Sequence, residues 1–365
     1  MKVGIRVDAS PAIGLGHVKR CLALAHALRE IKADVRCVTR DLGVSVKTLV
    51  DSAGFRCEVL PAPLANEVAA PLSGSSATQA HRAGVGWLVD ARETCLALRS
   101  EPVDWVVVDD YGLDAQWHRH VANSLTTRIA VIDDLADRTL AADLLIDHNY
   151  AADHREKYQG QLRDNVPILG GPRYALLDPA YGRPAHYVYS EDVRSIGIFM
   201  GGIDIGNFST VALQACRRVA GFTGPIELVT THDNPNLRSL KAIARSGGRT
   251  DISIDLPHLA DFFRRHDLQI GASGGATWER CCVGVPTLAI AVAENQRYVL
   301  EPLIGKGVVH ALTERVPSAD SLGREIRYLI DSPDVRKQLA QTARKLVDGR
   351  GASRVAEAMR MLCTK

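Results

Sequence analysis

No sign of charge dominates this sequence. Its 365 residues carry 44 Lys and Arg against 42 Asp and Glu, a formal net charge of +2. Nucleic-acid binders present a basic field, and that balance provides none, which argues against nucleic acid as a partner. A single anionic ligand is still compatible, because helix termini and a few arginines hold phosphate without a large net charge. Aromatic residues make up only 5%, and long apolar runs are missing. The longest uncharged apolar stretch, Cys281 to Ala293, contains Pro286 and is too short to span a bilayer. The eight cysteines (Cys21, Cys37, Cys57, Cys95, Cys216, Cys281, Cys282 and Cys363) form no C-x-x-C pair and no Cys/His spacing suited to zinc. Most sit in apolar runs, where reduced cysteine behaves as a small hydrophobe. The opening Met1-Lys-Val-Gly-Ile-Arg-Val-Asp8 lacks the apolar core of a signal peptide and reads as a strand. The expectation is a cytoplasmic protein with no membrane insertion.

What the chain does have is alternation. Short β-branched runs at Val3–Asp8, Asp34–Thr39, Arg56–Leu60, Trp105–Asp109, Ile129–Asp133 and Leu144–Ile146 are separated by helical patterns. A second series follows at Ser195–Met200, Ile226–Thr231, Ile252–Asp255, Leu268–Gly271, Thr287–Ala291 and Val308–Leu312. Between the first two runs, Val18, Cys21, Leu22, Ala25 and Leu28 recur at helical spacing over His17–Ile31. Strand–helix alternation predicts parallel sheets with helices on both faces. At roughly 100–200 residues per domain, the length suits two such domains. Tyr181 to Arg194 reads as the linker, which gives domains of 1–188 and 189–365. Pro61 to Gly86, rich in Ala, Ser, Gly and Pro, reads as a long loop near a site. Beyond Ser321 the pattern is helical with Lys/Arg-rich faces, the mark of solvated surface. Two facing Rossmann-like domains would enclose a ligand cleft at the carboxyl ends of their strands.

Four constellations lie at strand ends. The first, Asp8-Ala-Ser-Pro-Ala-Ile-Gly14-Leu-Gly16-His17-Val-Lys-Arg20, leads from the first strand into the first helix. Lys19 stands where the dinucleotide fingerprint needs its third glycine. The glycines admit close approach of a substrate, and the helix start disfavours an imidazolium at His17, leaving a neutral ring able to act as a general base. The competing reading is a histidine that only caps the helix. The second, Asp109-Asp110-Tyr111-Gly112, is echoed one strand later by Asp133-Asp134. Such acids can line a cleft, tune His17, shape turns, or hold magnesium, although the chain contains no Asp-x-Asp. Asp114 reads as a helix N-cap. The third, Met200-Gly201-Gly202-Ile-Asp204-Ile-Gly-Asn207, can wrap phosphate with backbone N–H groups. The fourth, Ser273-Gly274-Gly275-Ala-Thr277-Trp-Glu279, aims a helix start at an anion and sets a carboxylate for ribose hydroxyls. Each glycine turn alone has the bland reading of a tight turn. Together they suggest a nucleoside diphosphate.

The series of motifs resembles the UDP-2,4-diacetamido-2,4,6-trideoxy-β-L-altropyranose hydrolases of pseudaminic acid biosynthesis, relatives of the MurG-type, GT-B glycosyltransferases. It includes Asp147-His-Asn149-Tyr, Leu169-Gly-Gly-Pro-Arg173 and Ala293-Glu-Asn295-Gln296 besides the four already described. The resemblance implies a GT-B-like α/β fold and metal-independent, inverting hydrolysis of a UDP-sugar with no cofactor. By it, His17 matches the catalytic base and Tyr111 an active-site tyrosine. Gly14, Gly16, Arg20, Asp109 and Asn149 fall on the sugar side, and Arg173, on its own chemistry and motif position, is a further candidate for a phosphate or sugar contact. Gly201, Gly202, Asp204, Gly274, Gly275, Thr277, Glu279, Asn295 and Gln296 fall on the UDP side. A glycosyltransferase on the same fold, or a non-catalytic nucleotide-sugar binding protein, are the alternatives.

Overall fold

The computed structural model describes residues 1–11, 13–63, 85–182, 187–246, 248–312, 314 and 316–363. Most of the loop expected over Pro61–Gly86 and part of the linker expected over Tyr181–Arg194 lie outside the described residues. The chain divides into two compact units, one of Met1–Pro179 with Arg350–Lys365 and one of Ala180–Gly349. Among the described residues, no helix is long and apolar enough to cross a membrane.

The first unit is built on seven parallel strands: β1 (Lys2–Val7), β2 (Asp34–Arg40), β3 (Arg56–Leu60), β4 (Trp105–Asp109), β5 (Arg128–Ile132), β6 (Leu144–Asp147) and β7 (Ile168–Gly170). Their spatial order is β3-β2-β1-β4-β5-β6-β7. Ile5 of β1 therefore faces Cys37 on one side and Val107 on the other. The central strands β1, β2, β4, β5 and β6 are buried on both faces, as a parallel sheet between helix layers requires, while the edge strand β3 exposes Arg56, Glu58 and Val59. The first helix, Gly16–Glu30, buries Val18, Cys21, Leu24, Ala25 and Leu28 against this sheet.

The second unit repeats the plan with β8 (Ile196–Phe199), β9 (Ile226–Thr230), β10 (Thr250–Ile254), β11 (Leu268–Ala272), β12 (Thr287–Ile290) and β13 (His310–Leu312). Their order is β10-β9-β8-β11-β12-β13, all parallel. In each unit the chain winds outward in one direction, then returns to start beside its first strand. The order reverses between β1 and β4, and again between β8 and β11. Those are the switch points outside which open α/β sheets bind ligands.

Two features differ from the sequence reading. β7 was not expected; its three residues are too few to show a period, and register with Leu145, Ile146 and Asp147 defines it. The helix Gly351–Cys363, expected in the second domain as solvated surface, belongs to the first unit. Its Ala352, Val355, Ala356 and Met359 recur at helical spacing and are buried in the first unit's core. The second unit thus ends at Gly349 rather than 365.

Candidate active site

In the first unit, acids far apart in sequence are brought to neighbouring strand ends. Asp8 follows β1, Asp109 closes β4 with Asp110 behind it, Asp133 and Asp134 follow β5, and Asp147 closes β6. Buried carboxylates of this density persist only if each is paired or hydrogen-bonded. Arg6 donates from Nη1 and Nη2 to Asp8 at 2.5 and 2.8 Å and also reaches Asp90, which Arg40 approaches at 2.8 Å. Burial alone would raise Asp90, but the two guanidinium groups hold it down at about 2. Arg138 donates to Asp133 at 2.6 Å, and Lys157 to Asp147 at 2.6 Å. Among the described residues, no group of three or more His, Cys, Asp or Glu is placed to hold a metal ion.

His17 sits in the first turn of its helix, after a turn in which Gly14 has φ +75° and bonds back to Ser10. A side chain at Gly14 would be strained, and added atoms at Gly14 or Gly16 would meet nothing, so the backbone there lies open. Among the described residues, no side chain caps the helix start. The cap reading of His17 therefore fails, and its ring turns to a carboxylate instead. Nδ1 lies 2.6 Å from Oδ1 of Asp109, 92 residues away in sequence. Such a short contact to a carboxylate requires Nδ1–H to donate, which leaves the Nε2 lone pair as the basic face of the ring. Arg20 Nη2, 3.1 Å from the same Nδ1, is then a close neighbour rather than a second bond.

Asp109 is held on all sides. Arg20 donates from Nε to Oδ2 at 2.6 Å and from Nη2 to Oδ1 at 2.5 Å, and the Cys21 thiol reaches Oδ2 at 3.4 Å. Burial alone would raise the Asp109 carboxyl, but Arg20 and His17 keep it well below the ordinary carboxylate range. Tyr111 stands edge-on to His17 with ring centroids 4.9 Å apart, and Arg20 and Arg138 lie 5.9 and 5.8 Å from the centre of its ring. Its hydroxyl donates to Asp134 at 2.5 Å. Burial and then the Asp134 charge keep the phenol protonated. Asn149 donates from Nδ2 to the other Asp134 oxygen at 2.8 Å. Asp110, buried and close to Asp8, is raised above the usual carboxylate value. Asp114 caps the helix Ala115–Leu125 as its position implied. Arg173, the exposed residue of the turn Pro172–Tyr174, places its guanidinium 5.2 Å from the Tyr174 ring centre.

In the second unit, the two glycine turns follow β8 and β11 and flank the switch point. Gly201 has φ +98° with open space beside it. The Gly202 carbonyl accepts from Thr230 Oγ1 at 3.0 Å and from Thr231 Oγ1 at 2.8 Å, which ties the turn to the end of β9. Asp204, expected at a diphosphate, accepts the backbone N–H groups of Phe208 and Ser209 at 2.9 and 2.8 Å. Those are the first N–H groups of the helix Phe208–Gln214, whose N-cap position Asn207 holds while its Oδ1 accepts the Thr210 hydroxyl at 2.7 Å. After β11, Ser273 donates to Ile290 O at 3.1 Å and to Gln296 Oε1 at 3.2 Å. Gly274 and Gly275 open the helix Ala276–Val283, whose buried Thr277 accepts from Arg280 at 3.2 Å. Glu279 is half-buried one turn in. The side chain of Asn295 lies outside the described residues.

Several participants escaped the sequence reading: Asp134 as the acceptor for Tyr111, Lys157, and His148. Only Asp147-His-Asn149 hinted at the last, as a polar run at a strand exit.

No protein-family model matches the chain. It is 24% identical over 364 residues to the spore coat polysaccharide biosynthesis protein SpsG of Bacillus subtilis (strain 168), covering 97% of this chain and 96% of that one. It is 24% identical over 307 residues to the UDP-2,4-diacetamido-2,4,6-trideoxy-β-L-altropyranose hydrolase of Campylobacter jejuni, covering 84% of this chain and 97% of that one. The crystal structure of Acinetobacter baumannii MurG matches with a TM-score of 0.66 at 12% identity, over 99% of both chains. The doubly wound sheets with their switch-point loops are thus those of a MurG-like GT-B fold, carried by a sequence similar to that of a UDP-sugar hydrolase.

Proposed function

We propose that the chain hydrolyses a UDP-linked deoxy-diacetamido sugar, of the UDP-2,4-diacetamido-2,4,6-trideoxy-β-L-altropyranose type, to the free sugar and UDP. This is a step of nonulosonic (pseudaminic) acid biosynthesis. The observation that carries the reading is the His17–Asp109 pair, with Asp109 locked by Arg20. An imidazole whose Nδ1–H is held by a carboxylate presents Nε2 as a general base. Nε2 takes a proton from water as the water oxygen bonds to the anomeric carbon. The bond from that carbon to the β-phosphate oxygen breaks, and UDP leaves with the electron pair. Attack from the face opposite the leaving group inverts the anomeric centre. UDP is a stable leaving group, so placement of water and donors for the diphosphate supply most of the acceleration.

The remaining roles divide between the units. Tyr111 orders the wall beside His17; Gly14, Gly16 and Asn149 line the sugar side, and Arg173 supplies an anion contact. Gly201, Gly202, Gly274, Gly275 and Thr277 take the diphosphate, Glu279 the ribose, and Asn295 and Gln296 the rest of the nucleotide. Asp204 serves that loop by accepting the first N–H groups of its helix. The strand-end acids already engaged by Arg6, Arg20, Arg138 and Lys157 support a reaction without a bound metal.

The test is incubation with that UDP-sugar and no acceptor, following UDP release, with NMR of fresh product for the anomer. His17→Ala should lower turnover by about 10²–10⁴-fold with UDP binding and thermal melting near wild type. UDP released only when an acceptor sugar is added would make the protein a transferase. UDP bound with no turnover at all would make it a binding protein.

A further inference from the structure

His148 is the first residue after β6, between Asp147, which Lys157 holds, and Asn149, which is tied to Asp134. Its flanks are fixed and it is only 6% exposed, yet its Nδ1 is buried with no hydrogen-bond partner among the described residues. Buried polar atoms are nearly always satisfied, so an orphan needs a reason. Burial, then the charge of Arg20, pushes this imidazole down to about 4, and Asp134, Asp109 and Lys157 also act on it. Its chain neighbour Asn149 donates to the same Asp134 carboxylate as Tyr111, whose ring stands against His17, which places His148 at the strand ends that carry the candidate site. A neutral imidazole offers one donor and one acceptor. Arg20 is taken by Asp109 and Lys157 by Asp147, while Asp134 accepts from Tyr111 and Asn149, so neither cation is free for a phosphate, and Asp109 and Asp134 would repel one. The complement is an uncharged polar group.

We propose that His148 is a specificity-determining residue whose Nδ1 hydrogen-bonds a hydroxyl or amide group of the sugar. This rests on the nucleotide-sugar reading above. It makes His148 a binding contact, distinct from the base His17.

His148→Leu removes the polar ring at similar volume, and His148→Gln restores a hydrogen-bonding group. The ligand-free melting temperature, UDP affinity by calorimetry, and KM and kcat for UDP-2,4-diacetamido-2,4,6-trideoxy-β-L-altropyranose are read for each. An orphan kept for a ligand destabilises the empty protein, so His148→Leu should melt at or above wild type. Its KM should rise about tenfold, the usual loss for one neutral hydrogen bond, with UDP affinity unchanged and His148→Gln recovering part of the loss. A lower melting temperature for His148→Leu, or an unchanged KM, overturns the assignment. Should the wild type bind this nucleotide sugar without turning it over, the hydrolase reading fails on its own, and calorimetry with the same compound replaces KM. Weaker binding by His148→Leu then supports the contact and equal binding overturns it. Failure of the wild type to bind the compound at all overturns both.

Discussion

Replacing Asp109 by Asn changes one atom and breaks the arrangement in two ways. Oδ1 accepts from His17 and from Arg20 Nη2, while Oδ2 accepts from Arg20 Nε and the Cys21 thiol. An amide has a single acceptor oxygen, so in either orientation its NH₂ faces an N–H of Arg20. With the oxygen at the Oδ2 position, the NH₂ also faces His17 Nδ1. The ring must then shift its proton to Nε2, which abolishes the basic face. Loss of the correct tautomer costs about 10²–10⁴-fold in turnover. Arg20, whose side chain is 14% exposed, loses its counter-charge. Breaking one partner of a buried pair costs about 3–5 kcal/mol, and a unit of this size loses roughly 2–4 °C per kcal/mol, so melting should fall by roughly 6–20 °C. Because Asp109 is held below its unfolded value, its stabilisation is complete above that value and is lost as pH falls through the folded one. The gap between wild type and Asp109→Asn should therefore be full at pH 7 and shrink below about pH 4. UDP release and thermal melts across pH check this, with UDP titration as a control on the second unit. Turnover within threefold of wild type, or an unchanged melting temperature, would refute the reasoning.

Tyr111→Phe keeps the ring edge against His17 but leaves Asp134 without its hydroxyl donor. It should cost about 1–3 kcal/mol in a melt and lower turnover more than it lowers UDP affinity; equal turnover removes the hydroxyl from the site. Asp110 is raised by burial and then by Asp8, so the native state loses stability as pH climbs from the unfolded value through the folded one. Asp110→Asn should therefore melt above wild type at pH 8 and lose that advantage at pH 4; a variant destabilised at both would mean that the carboxylate is needed.

The fold was legible because both sheets are parallel and their central strands are buried on both faces, so strands such as β4 and β5 read as apolar, β-branched runs. Trp105–Asp109 and Arg56–Leu60 match to the residue. His17, Asp109 and Tyr111 were legible for a related reason, as each lies within a few residues of a strand or helix boundary. Their pairing was not, since no local pattern links residue 17 to residue 109. Asp90 shows the same limit. In the first turn of the helix Trp87–Leu98 an acid reads as a surface residue, yet it is fully buried and accepts from Arg6, Arg40 and Trp117. Asp204 was assigned to a ligand because it follows two glycines. The N–H groups of Phe208 and Ser209 engage it first.

The return of Gly351–Cys363 to the first unit bears on how the protein is made. Met359 and Val355 are fully buried in a core otherwise drawn from the first 179 residues, and Trp105 of β4 donates to Cys363 Sγ at 2.9 Å. Domains generally fold as units during synthesis, amino end first. Here the order is reversed for completion. The second unit is continuous and has all its residues while the first still awaits its closing helix. On the ribosome, the unit carrying His17 is begun before the second unit and completed after it.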